Sequence, residues 1–553
     1  MESEIKSFFK GEVLSDKATL EKYSRDASLF KVMPKLVVYP KDSQDISALV
    51  KWVSEKKKSD PTLSLTMRSA GSDMSGGPLG ESIIVDVTRY LNKIGEIQIK
   101  GTEVEPGVFY RDFEPKTLEK GLILPCFPAS KNLCALGGMI GNNCAGEKTL
   151  RYGKMEHFVR SSHYVFSDGV EYEVKPLSAN ELEKKRSQDN FEGKIYRELY
   201  QLIVSNRDLI EKSRPKVTKN SAGYFLWNVW DGHTFDLNRL LTGAQGTLGL
   251  MTRATVSLKA TMNHHDLIAL FFDSWDDLPE VVNAILPYDP ESLETFDEDT
   301  LKLGIHFMPE IAKKVGENPF SFALKFLPEA LIGVRMLGIP KLIVLVEIAE
   351  GSEMKVKIKV EEILKKLKPF RVWHRVIEKD SEEEKFWVVR RESFNLLRQH
   401  AKRRRTAPFI DDFCIPVEKV PEFLPKAKKI LEDYDIDVNI AGHAGNGNFH
   451  IIPLMDLSEE SEREKLIPVA DKFYSLVSEY QGSTTGEHND GIVRTPYLDK
   501  MYKPEMLELF KRVKVLFDPQ NIFNPGKKVP SSAEASTGKN GTLEYFQSHI
   551  AKD

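Results

Sequence analysis

The stretch LSLTMRSAGSDMSGG, residues 63–77, changes character part-way along. LSLTM reads as a strand, and RSAGSDMSGG leaves it with several backbone N–H groups that few side chains obstruct. Such a nest binds phosphate oxygens, because N–H dipoles converge on the anion. No Gly-Lys-Ser/Thr follows, so it is not a Walker loop, and no GxGxxG follows a strand anywhere in the chain. An ordinary Rossmann site is therefore not indicated. Upstream, PKLVVYPKDSQDISALVKWVSEKK (34–57) reads as strand, turn and amphipathic helix. Ile46, Leu49, Val50 and Val53 fall at i, i+3, i+4 and i+7, and Asp42 is placed to cap the helix. Downstream, SIIVDV (82–87) reads as the next strand.

Two more glycine-rich loops with apolar flanks follow, LPCFPASKNLCALGGMIGNNCAG (124–146) and LLTGAQGTLGLMTRATVSL (240–258). Beyond about residue 260 the texture changes. DLIALFFDSWDDLPEVVNAIL (266–286) and KLIVLVEIAEGSEMKVKIKVEEILKKL (341–367) each read as strand then helix. They look like two copies of one unit, building a separate sheet-and-helix domain.

Composition narrows the field. With 553 residues the chain holds roughly two to four domains. Lys and Arg total 78 against 82 Asp and Glu, so no basic excess is available for a nucleic-acid backbone. The N-terminus MESEIKSFFKGEV has neither a signal-peptide run nor a presequence pattern. The most apolar stretch, EALIGVRMLGIPKLIVLVEIAE, is broken by Arg335, Pro340 and Lys341, which argues against a membrane span. Cys126, Cys134, Cys144 and Cys414 follow neither zinc-ribbon nor ferredoxin spacing and read as reduced thiols of a cytoplasmic protein.

The second domain contains NIAGHAGNGNFHII, residues 439–452. A helix is excluded, since each interior glycine costs about 0.5–1 kcal/mol relative to alanine. Two strands joined by a bend would return His443 and His450 to one side, as a candidate metal site. A third donor stands in GSTTGEHNDGIVRTPYL (482–498), where Glu487 precedes His488. Two histidines and one carboxylate are a recurring catalytic zinc set.

The ordered set YSRDAS, LVVYP, RSAGSDMSGG, VEPGV, FPASKNLCALGGMIGNNCAG, GAQGTLGLMTRATVSL, GHAGNGNFH, TTGEHNDG and DPQNIFNPGKK spans about residues 20 to 529. It resembles FAD-linked oxidoreductases of the vanillyl-alcohol oxidase and p-cresol methylhydroxylase superfamily. The similar branch holds D-lactate, glycolate and D-2-hydroxyglutarate dehydrogenases. The resemblance implies an α+β fold: a two-subdomain FAD-binding domain of the p-cresol methylhydroxylase type over 35–260, after an N-terminal segment 1–34. A substrate or cap domain with an antiparallel sheet and the metal site covers 261–500. A segment 501–529 returns to the FAD domain, and 530–553 is a loosely held tail.

The same resemblance distributes the roles. Arg68, Ser69, Ala70, Gly71, Ser72, Asp73, Ser75, Gly76 and Gly77 would cradle the FAD pyrophosphate. Pro128, Ser130, Gly137, Gly138, Gly141, Asn143 and Gly146 would line the isoalloxazine and ribityl part. Gly246, Thr247, Gly249 and Leu250 would meet the adenine end or the nearby sheet, and Asn524 would return towards the flavin. His443, His450 and Glu487 match the metal ligands, with zinc the expected ion. His488 matches the base, Asn448 a substrate contact, and Arg390 the arginine that grips the substrate carboxylate.

The implied activity is oxidation of a D-2-hydroxy acid to the 2-oxo acid, with hydride passing to flavin N5. D-lactate or a close relative is the expected substrate. An external acceptor (quinone, cytochrome or electron-transfer protein) would follow, since the iron–sulfur cysteine clusters of fused relatives are not in this sequence. Peripheral attachment at the inner face of the membrane stays open. An alkylglycerone-phosphate synthase-like transferase and a non-catalytic flavin electron-transfer subunit are the rival readings.

Four departures from the family pattern matter. Gln245 stands where many relatives have Glu, and the phosphate loop lacks the histidine that carries FAD covalently, so dissociable FAD is expected. Phe394 and Ile410 stand where 2-hydroxyglutarate enzymes have Thr and Lys, which argues for a monocarboxylate. The run KRRR (402–405) could replace that lysine or simply be a solvated basic face.

Overall fold

The computed structural model describes residues 1–314, 316–378, 382–390, 404–438, 440–529 and 539–552. Arg391, Phe394, Lys402 and Arg403 lie outside the described residues.

The first sheet grows from the strand–helix–strand unit seen in the sequence. Leu36–Tyr39 is buried along its whole length, and the helix Ser43–Lys56 follows with the Asp42 side chain accepting from Asp45 N–H at its start. The helix buries Ile46, Leu49, Val50 and Val53 against this sheet. Leu36–Tyr39 and Leu65–Arg68 both pair in parallel with Ile83–Asp86, and Glu12–Leu14 closes one edge antiparallel. The loop 69–77 thus departs from the carboxyl end of a parallel strand, where open α/β sheets bind their ligands.

A second sheet is antiparallel, in the order Thr102–Val104, Leu250–Val256, Val159–Val165, Glu171–Val174. The glycine loop ahead of Val159 carries only a seven-residue helix, Leu136–Asn142, closed by Asn143 in the left-handed region at φ 49°. Helix Pro504–Phe517 comes back from the far end of the chain, and its Leu509, Phe510 and Val513 join the core of this second sheet.

The two strand–helix units build the third sheet. His264–Phe272 and Leu342–Glu350 pair antiparallel over their full length, and their helices Leu278–Ile285 and Glu353–Leu367 pack on each other. The complete order is Val372–Ile377, His264–Phe272, Leu342–Glu350, Ser292–Asp297, Ile440–His443, Asn448–Ile451, Phe413–Cys414, with every pairing antiparallel. This sheet and its helices enclose one of the two large cores, the other lying around the second sheet. Among the described residues no helix is long and apolar enough to cross a membrane. All four cysteines are buried and unbridged.

The small polar stretch of the tail, 530–538, lies outside the described residues. Beyond it the helix Lys539–Ser548 docks rather than dangles. Phe546 is fully buried edge-on to Phe30 at 5.1 Å, and Ala551 N–H donates to Leu29 C=O at 2.9 Å. Its apolar residues lie late in a segment whose opening is small and polar.

Candidate active site

Ile440–His443 and Asn448–Ile451 form the hairpin that the glycines suggested, with His443 opposite Asn448 and His450 opposite Ala441. Its bend needs glycine at 447. The φ there is +64°, and a Cβ would stand 2.0 Å from the Ile415 carbonyl oxygen. The bend brings the ring centroids of His443 and His450 to 5.5 Å, nearly perpendicular.

Glu487 completes the set. Its Oε2 lies 3.5 Å from His443 Nε2 and its Oε1 3.3 Å from His450 Nε2, and one donor atom from each of the three lies within 4.8 Å of the others. Zinc bonds of about 2.0–2.1 Å in a tetrahedron put donors roughly 3.3 Å apart, so these spacings suit such an ion. The far nitrogens are engaged by carboxylates. Glu294 Oε1 is 2.5 Å from His443 Nδ1, and Asp411 Oδ1 is 3.1 Å from His450 Nδ1. Carboxylates on Nδ1 leave both Nε2 atoms free to bind an ion, a common arrangement around ligating histidines.

His488 stacks beside His450 at 5.0 Å, its Nε2 3.6 Å from Glu487 Oε1. Its Nδ1 lies 2.7 Å from Asp411 Oδ2, at ion-pair distance but off the angle of a good hydrogen bond. Burial works against a charged imidazole here. The Asp411 carboxylate, with Asp412 behind it for His488, outweighs that and raises both rings, His450 to about 10. For Glu487 burial opposes ionisation, and Lys219 with His443 overcomes it, holding the carboxyl well below its ordinary value.

Arg390 sits on the other side of Glu294. Its guanidinium makes an ion pair with Glu294, whose carboxyl ionises at about 2 because Arg390 and His443 outweigh the burial penalty. Arg390 Nε is buried without a hydrogen-bond partner among the described residues. Arg390, His443, His450, Glu487 and His488 all line one cleft of about 1640 Å3. The phosphate-type loop from Arg68 to Asp73, with Gly77, lines the same cleft, and so do Pro128, Ser130, Gly137, Gly138, Gly141, Gly246 and Gly249.

Two family models match this chain. The FAD binding domain covers residues 34–175, and the C-terminal domain of FAD linked oxidases covers 261–528. The chain belongs to the FAD-linked oxidases. It is 26% identical over 533 residues to a D-2-hydroxyglutarate dehydrogenase of Pseudomonas putida, covering 94% of this chain and 51% of the relative. It therefore spans about half the length of that relative. It is also 26% identical to a D-lactate dehydrogenase of Archaeoglobus fulgidus, covering 89% of this chain and 91% of that one. The solved structure of p-cresol methylhydroxylase with substrate bound superposes with a TM-score of 0.65 at 14% identity over 94% of each chain, a likeness of fold alone.

The cleft of this FAD-linked oxidase fits a dinucleotide. Its volume exceeds the roughly 300–1,000 Å3 of ordinary small-molecule sites. A Cβ at Gly141 would meet nothing within 4 Å, and one at Gly138 only Ser69 at 3.8 Å, so both glycines open onto the cleft. Gly146 is different, because a Cβ there would strike the Phe127 carbonyl at 1.9 Å. That glycine permits close backbone packing and is not on the cleft wall.

Several of the residues expected to hold FAD also hold the loops together. Asp73 accepts from Ser75 N–H, Ser75 Oγ, Gly77 N–H and Asn142 Nδ2. Arg68 turns its guanidinium to the Tyr23 and Arg25 carbonyls, leaving the nest to backbone N–H groups. Gln245 donates to Ser75 and Asn142 and accepts from Gly491 N–H, while Asn524 donates to the Gly77 and Gln245 carbonyls. Asp73, Arg68 and Gln245 line the cleft, whereas Ser75, Gly76, Asn143, Thr247, Leu250 and Asn524 are off its wall. So is Asn448, fully buried, donating to Asp412 Oδ1 and the Phe413 carbonyl and accepting from Lys219.

Sequence reasoning missed four charged groups: Asp411, Asp412, Glu294 and Lys219. Asp412, at φ 62°, accepts from the N–H groups of Gly486, Glu487 and His488 and from Thr485 Oγ1. One carboxylate thereby fixes the loop that presents Glu487 and His488. Lys219, fully buried, reaches Glu487 Oε2 at 3.2 Å from the flavin-domain side. The doublet in FIDDFCIP was a visible signal, since two acids inside an apolar run must have buried partners.

Proposed function

We propose that this FAD-linked oxidase is a metal-assisted dehydrogenase of a D-2-hydroxy acid. The observation that carries the reading is the convergence of Arg390, the His443–His450–Glu487 set and His488 in the same cleft as the glycine loops. A bound FAD would supply a two-electron acceptor, and a divalent cation such as zinc on that set would supply charge that acidifies the substrate hydroxyl. Oxidation of a 2-hydroxy acid removes one hydroxyl proton and one hydride from the α-carbon. His488 receives the proton, and the Asp411 carboxylate behind it stabilises the imidazolium that results. Arg390, whose side chain lines the cleft, orients the substrate through its carboxylate.

FAD is held without a covalent bond, because the 68–77 loop has no histidine, so acid precipitation should release it. The finer reading is a short monocarboxylate such as D-lactate. Ile410 is fully buried and supplies no cation, and Arg404 has its guanidinium 3.6 Å from the exposed Asp437. The test is anaerobic titration with D- and L-2-hydroxy acids, followed by flavin absorbance. Bleaching by D-2-hydroxy acids alone is expected, and a flavin that none of them reduces would discard the proposal in favour of a transferase-like or non-catalytic role.

A further inference from the structure

Away from the cleft, the segment between Ser292–Asp297 and Leu342–Glu350 carries an unusual surface. Helix Leu327–Met336 turns Ile332 and Met336 inward against the sheet, beside Phe326. Its opposite stripe, Leu327, Leu331 and Val334 at i, i+4 and i+7, faces outward, with Val334 70% exposed. The preceding helix Pro319–Leu324 also exposes apolar side chains, Phe320 at 73% and Leu324. Leu337, 94% exposed, extends the apolar surface past the helix end. Single exposed apolar residues are ordinary, but six within eighteen residues of two successive helices mark an interaction surface.

We propose that this ridge docks on an anionic lipid surface, lying in the interface without crossing it. From Phe320 to Ile339 the only exposed polar side chains are Ser321 and Arg335, and the Ser321 hydroxyl is spent on the Asn318 carbonyl. A protein partner would need about one hydrogen bond per 100–200 Å2 of interface, whereas acyl chains need none. Side chains exposed by 70–94% stand proud instead of lining a groove.

The charge pattern fits the same partner. Residues 308–341 hold five Lys and Arg against three Glu. Glu329 is turned inward onto Lys385 at 2.9 Å, Lys325 is paired with Glu317 at 2.6 Å and Lys341 with Glu298, while Lys313, Lys314 and Arg335 are exposed beside one exposed acid, Glu310. Basic residues flanking an apolar face favour anionic headgroups. A second copy of this chain is the poorer occupant, since a two-fold contact would place each Arg335 in one desolvated patch with its copy.

The full-length holoprotein should sediment with vesicles of phosphatidylcholine mixed with phosphatidylglycerol and much less with phosphatidylcholine alone. The double variant Leu331→Glu/Val334→Glu should stay in the supernatant with its FAD content unchanged. Arg335→Gln should lower partitioning onto the anionic vesicles about fivefold, the loss of one basic contact. The proposal is overturned if the native protein ignores both vesicle types or if the double variant sediments equally. It is also overturned if light scattering finds a dimer that the double variant dissolves, which would give the ridge to a second copy.

Discussion

Asp411 Oδ2 lies 2.7 Å from Nδ1 of His488, while the other oxygen of the same carboxylate takes Nδ1 of His450 at 3.1 Å. One buried acid therefore orients both a proposed metal ligand and the proposed base. An asparagine in its place keeps a single acceptor oxygen, so it can serve only one imidazole. Asp411→Asn should weaken zinc binding about 10–100-fold, the usual cost of losing an outer-shell partner. It should also lower the His488 pKa, which Asp411 holds up, and so move the acid limb of kcat/KM to lower pH while leaving the flavin spectrum intact. Competition with a chromophoric chelator measures the first effect, and unchanged zinc affinity would reduce Asp411 to a space-filling residue.

His443→Ala or Glu487→Ala should abolish turnover and leave FAD bound. The glycine loops on the cleft wall lie before residue 260, whereas both side chains come from the hairpin and the 482–491 segment. Chelation should copy the variants, and added Zn²⁺ should restore the native protein but not them. Full turnover in metal-free protein would count decisively against a catalytic ion.

Arg390→Ala should raise KM for the hydroxy acid more than it lowers kcat. Losing a charged hydrogen-bond partner costs about 1.5–3 kcal/mol, or roughly ten- to a hundred-fold. Glu294 would also lose its ion-pair partner, so zinc affinity through His443 should be measured alongside. A KM equal to the native value would move carboxylate binding to another cation.

The segments legible in the sequence were those whose pattern is local. Asp42 and the i, i+3, i+4, i+7 apolar set marked the helix Ser43–Lys56, and the glycines of 439–452 marked a bend that Gly447 makes at positive φ. The His443–His450–Glu487 cluster was legible because its three donors sit in two short motifs. Lys219 was not, because its partner Glu487 lies 268 residues away and nothing local distinguishes a buried lysine. Asn448 and Gly146 share motifs with cleft residues, yet their side-chain positions face the packed interior. Motif membership places the loop, and packing decides which of its faces meets the ligand.

A cluster joining the two halves of the chain predicts a pH effect. Lys148 lies 2.6 Å from Glu291, just ahead of the strand Ser292–Asp297, and 3.5 Å from Glu347 on the neighbouring strand Leu342–Glu350. Burial raises Glu347 to about 7; Lys148 opposes the shift and Glu291 adds to it. A folded-state value above the unfolded one means that the stability Glu347 contributes is complete below about 4.5 and lost as pH rises through about 7. Glu347→Gln should flatten the fall in melting temperature across that window. Parallel curves for variant and native protein would show that Glu347 is not the group responsible.

The pocket should prefer a monocarboxylate to 2-hydroxyglutarate. A second carboxylate brought into the cleft needs a cation, and burying it unpaired carries a desolvation penalty of several kcal/mol. Ile410 is fully buried in an apolar core, and Arg404 is 3.6 Å from Asp437. Arg404 and Arg405 nevertheless line the same cleft as His450, so they are the side chains able to reverse the preference. The measurement is kcat/KM for D-lactate, D-2-hydroxybutyrate and D-2-hydroxyglutarate with one artificial acceptor, in native protein and in Arg404→Ala and Arg405→Ala. D-lactate and D-2-hydroxybutyrate should lead, with little change in either variant. If the dicarboxylate leads and an arginine variant removes that lead, the distal carboxylate is held by the basic run and the monocarboxylate reading falls.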